Sequence, residues 1–161
     1  MKQVNRYADV MLKRDYVGQN CSIARTLELV GERWTLLIIR DAFLGRRRFD
    51  EFRDSLGIAS NVLTERLNRL VEHEILERVP YSEHPERFEY RLTEKGAGLR
   101  VALLALMQWG DRHLAETPPR IARRVSDGSL VSAALVAADG SILDPGEVET
   151  VAAAGAQPAR S

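Results

Sequence analysis

The stretch that decides the fold is IASNVLTERLNRLVEHEILERV, residues 58–79. From Asn61 to about His73, Leu63, Leu67 and Leu70 fall on one stripe at about 100° per residue. That spacing predicts a helix with one face on a core. Ser60, small and oxygen-bearing, reads as its N-cap. Asn61, Glu65, Asn68 and Arg69 point away from the leucines, and Thr64 lies on the flank. At Ile75 the pattern changes abruptly to a short apolar run. A leucine stripe alone says only that a helix packs, so the neighbouring segments must decide what the other face is for.

Upstream, FDEFRDSLG (49–57) reads as a short helix with Phe49, Phe52 and Leu56 on one side, closed by Gly57. Ile58 and Ala59 form a tight connection. Downstream, Ile75 to Tyr81 reads as a strand and SEHPE (82–86) as a turn of about five residues. RFEYRLT (87–93) alternates, with Phe88, Tyr90 and Leu92 on one side and Arg87, Glu89 and Arg91 on the other. Helix, tight turn, helix and hairpin in that order describe a helix-turn-helix followed by a wing.

In such a fold the second helix enters the major groove of double-stranded DNA and the first braces it. Asn suits adenine, Arg suits guanine, Thr meets base edges or a thymine methyl, and Glu65 can accept from a cytosine amino group. The plain alternative is a solvated helix face. Phosphate contacts are expected from Arg46, Arg47 and Arg48 ahead of the bracing helix, and from Arg66 beside the reading face. Asp50, Glu51 and Asp54 stand close enough to neutralise that arginine run. Arg87, near the wing tip, is placed to reach a minor groove.

The flanks complete an α+β, mainly helical chain. Residues 1–20 read as a polar arm, with room for a short helix. Ile23, Leu27 and Val30 have helical spacing, with Gly31 as a C-cap, and WTLLIIRDAFLG (34–45) reads as a buried helix. Thr93 caps a long helix whose Leu99, Leu103, Leu106, Trp109 and Leu114 form an apolar face, and Pro118-Pro119 ends it. Residues 118–161 hold a small hairpin in LVSAALVAADGSILDP and a disordered tail from Ala152. No internal repeat is read.

Composition narrows the class. The 161 residues are 45% hydrophobic and 29% charged, a globular balance without an apolar run of membrane length. The polar N-terminus lacks the apolar core of a leader, so a cytoplasmic location is the default expectation. Lys plus Arg and Asp plus Glu are both 23, a neutrality that weighs mildly against nucleic acid. It also supports a competing class, a winged module that binds protein. Local charge decides between them. Cys21 is the single cysteine, and His73, His84 and His113 are scattered without ligand spacing. No nucleophile–base pair, metal set or phosphate-binding glycine loop is present, so neither an enzyme nor a cofactor is expected.

The segment from Cys21 to about Leu114 resembles the HxlR-type winged-helix transcriptional regulators. The likeness rests on Cys21 before the first helix, Gly31 and Trp34, Gly45 with Arg48-Phe49, Pro85 in the wing, Tyr90-x-Leu92-Thr93 leading into Gly96, and Trp109 late in the last helix. It implies a homodimer on inverted-repeat operator DNA that represses or activates nearby genes. It also implies dimerisation through the N-terminal segment and the last long helix, where Leu99, Leu103, Leu106 and Trp109 would meet their counterparts. In several relatives the N-terminal cysteine senses oxidants or electrophiles. Cys21 matches that position, at a helix start where the dipole favours the thiolate; the alternatives are a small buried apolar residue and control by a small-molecule effector without cysteine sensing. Relatives with longer tails can carry cysteines around LVxxxGxxLDP, whereas LVAADGSILDP here has none, so a metal-free hairpin is expected.

Overall fold

The computed structural model describes residues 21–155. The expected arm over 1–20, and the end of the expected tail over 156–161, lie outside the described residues. Helix α1 spans Ser22–Val30, α2 Thr35–Phe43, α3 Phe49–Leu56 and α4 Ser60–Glu72. The hairpin of β1 (Leu76–Glu83) and β2 (Glu86–Leu92) follows, then a single turn α5 (Glu94–Ala97) and helix α6 (Arg100–His113). Strands β3 (Leu135–Val136) and β4 (Ile142–Leu143) pair antiparallel near the end.

The core is built where the leucine stripe points. Leu63, Leu67 and Leu70 are buried against Ile38 and Ile39 of α2, Phe52 of α3, and Ile58, Ile75 and Leu76. Burying such side chains contributes about 1.5–3 kcal/mol each. In α1 only Ala24 and Val30 are buried, whereas Ile23 stands 70% exposed. The α1 spacing is therefore genuine, but its outer stripe has no cover among the described residues. Asp41, in the middle of α2, is fully buried.

Four local expectations change. Gly31 does end α1, but with an ordinary right-handed conformation, φ −77°. Ser60 is not the cap of α4: the helix already includes it, Ala59 takes the cap position, and no side-chain cap bond forms. The Ser60 carbonyl instead accepts from Thr64 Oγ1 at 2.8 Å. The wing loop is shorter than five residues, because the strands continue through a bulge at Tyr81 until Glu83 pairs with Glu86. An extra bulge residue restores the ladder beyond it.

The long helix after Thr93 is broken. Thr93 caps α5 by accepting from the Gly96 amide at 3.0 Å, and its hydroxyl donates to the Glu74 carbonyl. This locks α5 onto the base of the wing. A Cβ at Gly96 would lie 2.1 Å from the Ile75 carbonyl oxygen, so only glycine permits the approach. Gly96 and Gly98 both weaken helix here, and α6 restarts at Arg100.

The C-terminal hairpin exists as expected, though each strand is two residues long. The C-terminal segment uses one short turn twice, once before this hairpin and once at its tip. Asp127-Gly128-Ser129 and Asp139-Gly140-Ser141 form the same turn, with each aspartate accepting from the serine amide and hydroxyl two residues on. Among the described residues no helix is long and apolar enough to cross a membrane.

Candidate nucleic-acid interface

Gly57 takes a left-handed conformation, φ 61°, and its amide returns to the Arg53 carbonyl at 2.9 Å. This stops α3 and turns the chain within three residues into α4. Buried Ile58 pins the turn. The leucines of α4 then fix its rotation, and Asn61, Thr64, Glu65 and Asn68 all stand exposed on the other side. Arg69, expected on the same face, is only partly exposed.

The two arginines of α4 do not join it. Arg66 forms an ion pair with Glu32, and Arg69 Nη1 lies 3.0 Å from the other oxygen of the same carboxylate. Arg69 Nη2 also donates to the Glu28 carbonyl, and Arg66 Nη1 to Glu65 at 2.8 Å. Both guanidinium groups are drawn back to the end of α1 and the α1–α2 turn. In this structure neither Arg66 nor Arg69 presents an unpaired guanidinium on that face. The reason is a carboxylate that no local periodicity could place beside them.

The arginine run has a different neighbourhood from the one expected. Glu51 accepts from the backbone amides of Arg47 and Arg48 at 2.7 and 2.9 Å, not from their guanidinium groups. Those amide bonds, with Arg48 and Arg46 charges adding, hold the Glu51 carboxyl below its ordinary pKa. Asp54 pairs with Arg53. The acids that face the run are Asp41, 3.7 Å from Arg46, and Glu89, 3.8 Å from Arg48. Arg48 also lies over the Tyr81 ring at 4.6 Å. Both ion pairs are long, and each joins a partly exposed arginine to a carboxylate that is fully buried (Asp41) or mostly so (Glu89).

Backbone bonds fasten this run to the wing. The Tyr90 amide donates to the Arg47 carbonyl at 2.7 Å, and Arg48 bridges to Glu89. Arg47 itself is exposed, as is Arg87 on β2 near the tip, and neither has an ion pair among the described residues. The run, the exposed face of α4 and the wing thus belong to one connected structure.

Sequence reasoning missed Glu32, Asp41 and Glu89. A charged residue inside the apolar helix WTLLIIRDAFLG was a usable signal for Asp41. Glu32 and Glu89 gave none, since each looks like an ordinary surface acid.

Cys21 is exposed at the N-cap of α1, in extended backbone, so the reading as a buried small residue is set aside. Along α6 the expected apolar face divides. Leu99 and Leu103 pack partly against the chain's own core, whereas Leu106 and Trp109 are each 56% exposed.

Comparison with known proteins agrees with this architecture. Rv3095, an uncharacterised HTH-type transcriptional regulator of Mycobacterium tuberculosis, is 57% identical over 100 residues. The match spans 61% of this chain and 63% of that relative, so it stops short of two thirds of the relative's length. Among solved structures, PA1607, a proposed transcription factor, superposes with a TM-score of 0.72 at 39% identity, over 82% of this chain and 94% of its own. PA1374 of Pseudomonas aeruginosa, also a proposed transcription factor, gives 0.62 at 46% identity, over 85% and 95%. The HxlR-like helix-turn-helix family matches residues 29–118, more than half of the sequence. With its wing, its braced helix pair and that match, the chain belongs to the HxlR-like helix-turn-helix family.

Proposed function

We propose that the protein is a sequence-specific DNA-binding transcriptional regulator that acts as a homodimer on inverted-repeat operator DNA. The observation that carries this is the exposed polar face of α4 (Asn61, Thr64, Glu65 and Asn68), held rigidly by buried leucines and followed at once by the wing. Asn61 and Asn68 offer paired donors and acceptors for adenine, and Glu65 an acceptor for a cytosine amino group. Arg47 and Arg87 supply phosphate or minor-groove contacts, joined by Arg46 and Arg48 as their long ion pairs exchange for phosphate. The exposure of Ile23, Leu106 and Trp109 supports dimerisation, and a two-fold dimer would double each basic patch.

The test is footprinting near the protein's own gene, followed by binding to the protected duplex across a salt series. Asn61→Ala or Asn68→Ala is expected to cost about 1–3 kcal/mol of discrimination at one base position per half-site. Loss of Arg87 should weaken all sequences alike. No salt-sensitive binding to duplex of any sequence would instead favour the protein-interaction module.

A second reading concerns control. The exposed Cys21 thiol at the start of α1 supports oxidant or electrophile sensing. Oxidant should change DNA binding of the native chain and leave Cys21→Ser unaffected. Equal responses would sink the thiol reading in favour of a small-molecule effector.

A further inference from the structure

We propose that Glu32, in the turn between α1 and α2, is a positioning residue that withholds both cations of α4 from DNA phosphate and so sets the salt dependence and non-specific affinity of the protein. This rests on reading α4 as the DNA-facing helix. Arg66 and Arg69 are the only cationic residues in SNVLTERLNRLVE, and they stand three apart on one edge of the helix. Glu32 takes one guanidinium on each carboxylate oxygen. Three of the four remaining guanidinium nitrogens also have a partner inside the chain: Arg69 Nη2 the Glu28 carbonyl, Arg66 Nη1 Glu65, and Arg66 Nε the Arg33 carbonyl at 3.4 Å. The Arg66 side chain is only 15% exposed and that of Arg69 34%. Leaving this network would break both ion pairs to Glu32 and the hydrogen bonds to the Glu28 and Arg33 carbonyls together, so the arginines do not exchange their partners for phosphate one contact at a time.

The consequence follows from what phosphate contacts do. They strengthen binding to every sequence and carry no base information. Each one adds about 0.9 to the steepness of log affinity against log salt. With Glu32 in place, α4 approaches DNA with neutral amides, a hydroxyl and Glu65, and discrimination rests on base edges. Glu32→Gln keeps the shape and some hydrogen bonding while removing the charge that holds the pair.

The experiment measures salt slopes on a random-sequence duplex and on the protected operator. Native protein, Glu32→Gln, Arg66→Gln/Arg69→Gln and the triple variant are compared. Glu32→Gln is expected to bind random duplex more tightly at low salt and to steepen the slope by up to about 1.8 per chain. The double arginine variant should keep the native slope, and the triple variant should lose the gain. A residue that merely props the fold would weaken binding without steepening the slope, and an unchanged or shallower slope in Glu32→Gln overturns the proposal. Where Glu32→Gln fails to fold, Arg69→Gln in the otherwise native chain decides: an unchanged slope supports withholding, and a slope lower by about 0.9 overturns it. Native protein that binds no duplex overturns both this inference and the DNA reading; native binding with an unaltered Glu32→Gln slope overturns only this one.

Discussion

The two halves of the molecule are held together by different physics. Every buried side chain among the described residues lies between Ala24 and Leu76, and Gly96 is the last residue hidden from water. Beyond it, α6 and the C-terminal segment bury nothing fully. Leu99 and Leu103 still lean on the core, but the C-terminal segment is tied to α6 by polar contacts. Gln108 donates to the Val131 carbonyl at 3.0 Å and accepts from the Ala133 amide at 2.8 Å, as a neighbouring strand would. The difference separates a head that stabilises itself from a limb whose apolar groups, Leu106, Trp109 and Leu114 among them, stand exposed among the described residues. Exposed apolar groups gathered on one helix are the mark of an interface.

Four measurements test that contrast, from the largest effect to the smallest. Phe52→Ala opens a cavity at the centre of the head, where the ring is fully buried. It should cost about 3–5 kcal/mol in denaturant unfolding. A cost below about 1 kcal/mol would mean that the head does not carry the fold. Next, Trp109→Ala in the full chain should barely change unfolding of the head. It should weaken self-association by about 30-fold or more in sedimentation, as expected for an anchor worth about 2 kcal/mol. A native chain that sediments as a monomer at all concentrations removes the interface.

Gly96→Ala tests the junction between the halves. The added methyl meets the Ile75 carbonyl, and shifting it should cost about 1–3 kcal/mol. The same change at Gly110, where a Cβ meets nothing within 4 Å, should be harmless or slightly stabilising. The smallest effect is in the polar limb. The Ser129 and Ser141 hydroxyls, then their amides, hold the Asp127 and Asp139 carboxyls below their ordinary value of 3.8. A folded pKa below the unfolded one gives stability that is full above the unfolded value and lost as pH falls through the folded value. Amide signals of Ser129 and Ser141 should therefore hold from neutral pH down to 3.8 and shift only below it. Loss of those signals while carboxylates remain ionised would contradict the turn geometry.

Much of the head was legible because its signals are local. Leucines spaced three and four apart set the rotation of α4, and that rotation alone exposes Asn61, Thr64, Glu65 and Asn68. Alternation in RFEYRL announced β2 in the same way. Details set by hydrogen bonds slipped: the strands ran on to a shorter loop, Ala59 rather than Ser60 took the cap, and Gly96 and Gly98 broke a helix that its leucines would have continued.

By itself, then, the sequence determined the order of elements and the face that α4 turns outward, because periodicity is a property of neighbours along the chain. Tertiary structure decided which charges that face can use. Glu32 meets Arg69 across 37 residues of sequence, and Glu89 meets Arg48 across the base of the wing. Coulomb attraction depends on distance through space, and no spacing along the chain encodes it.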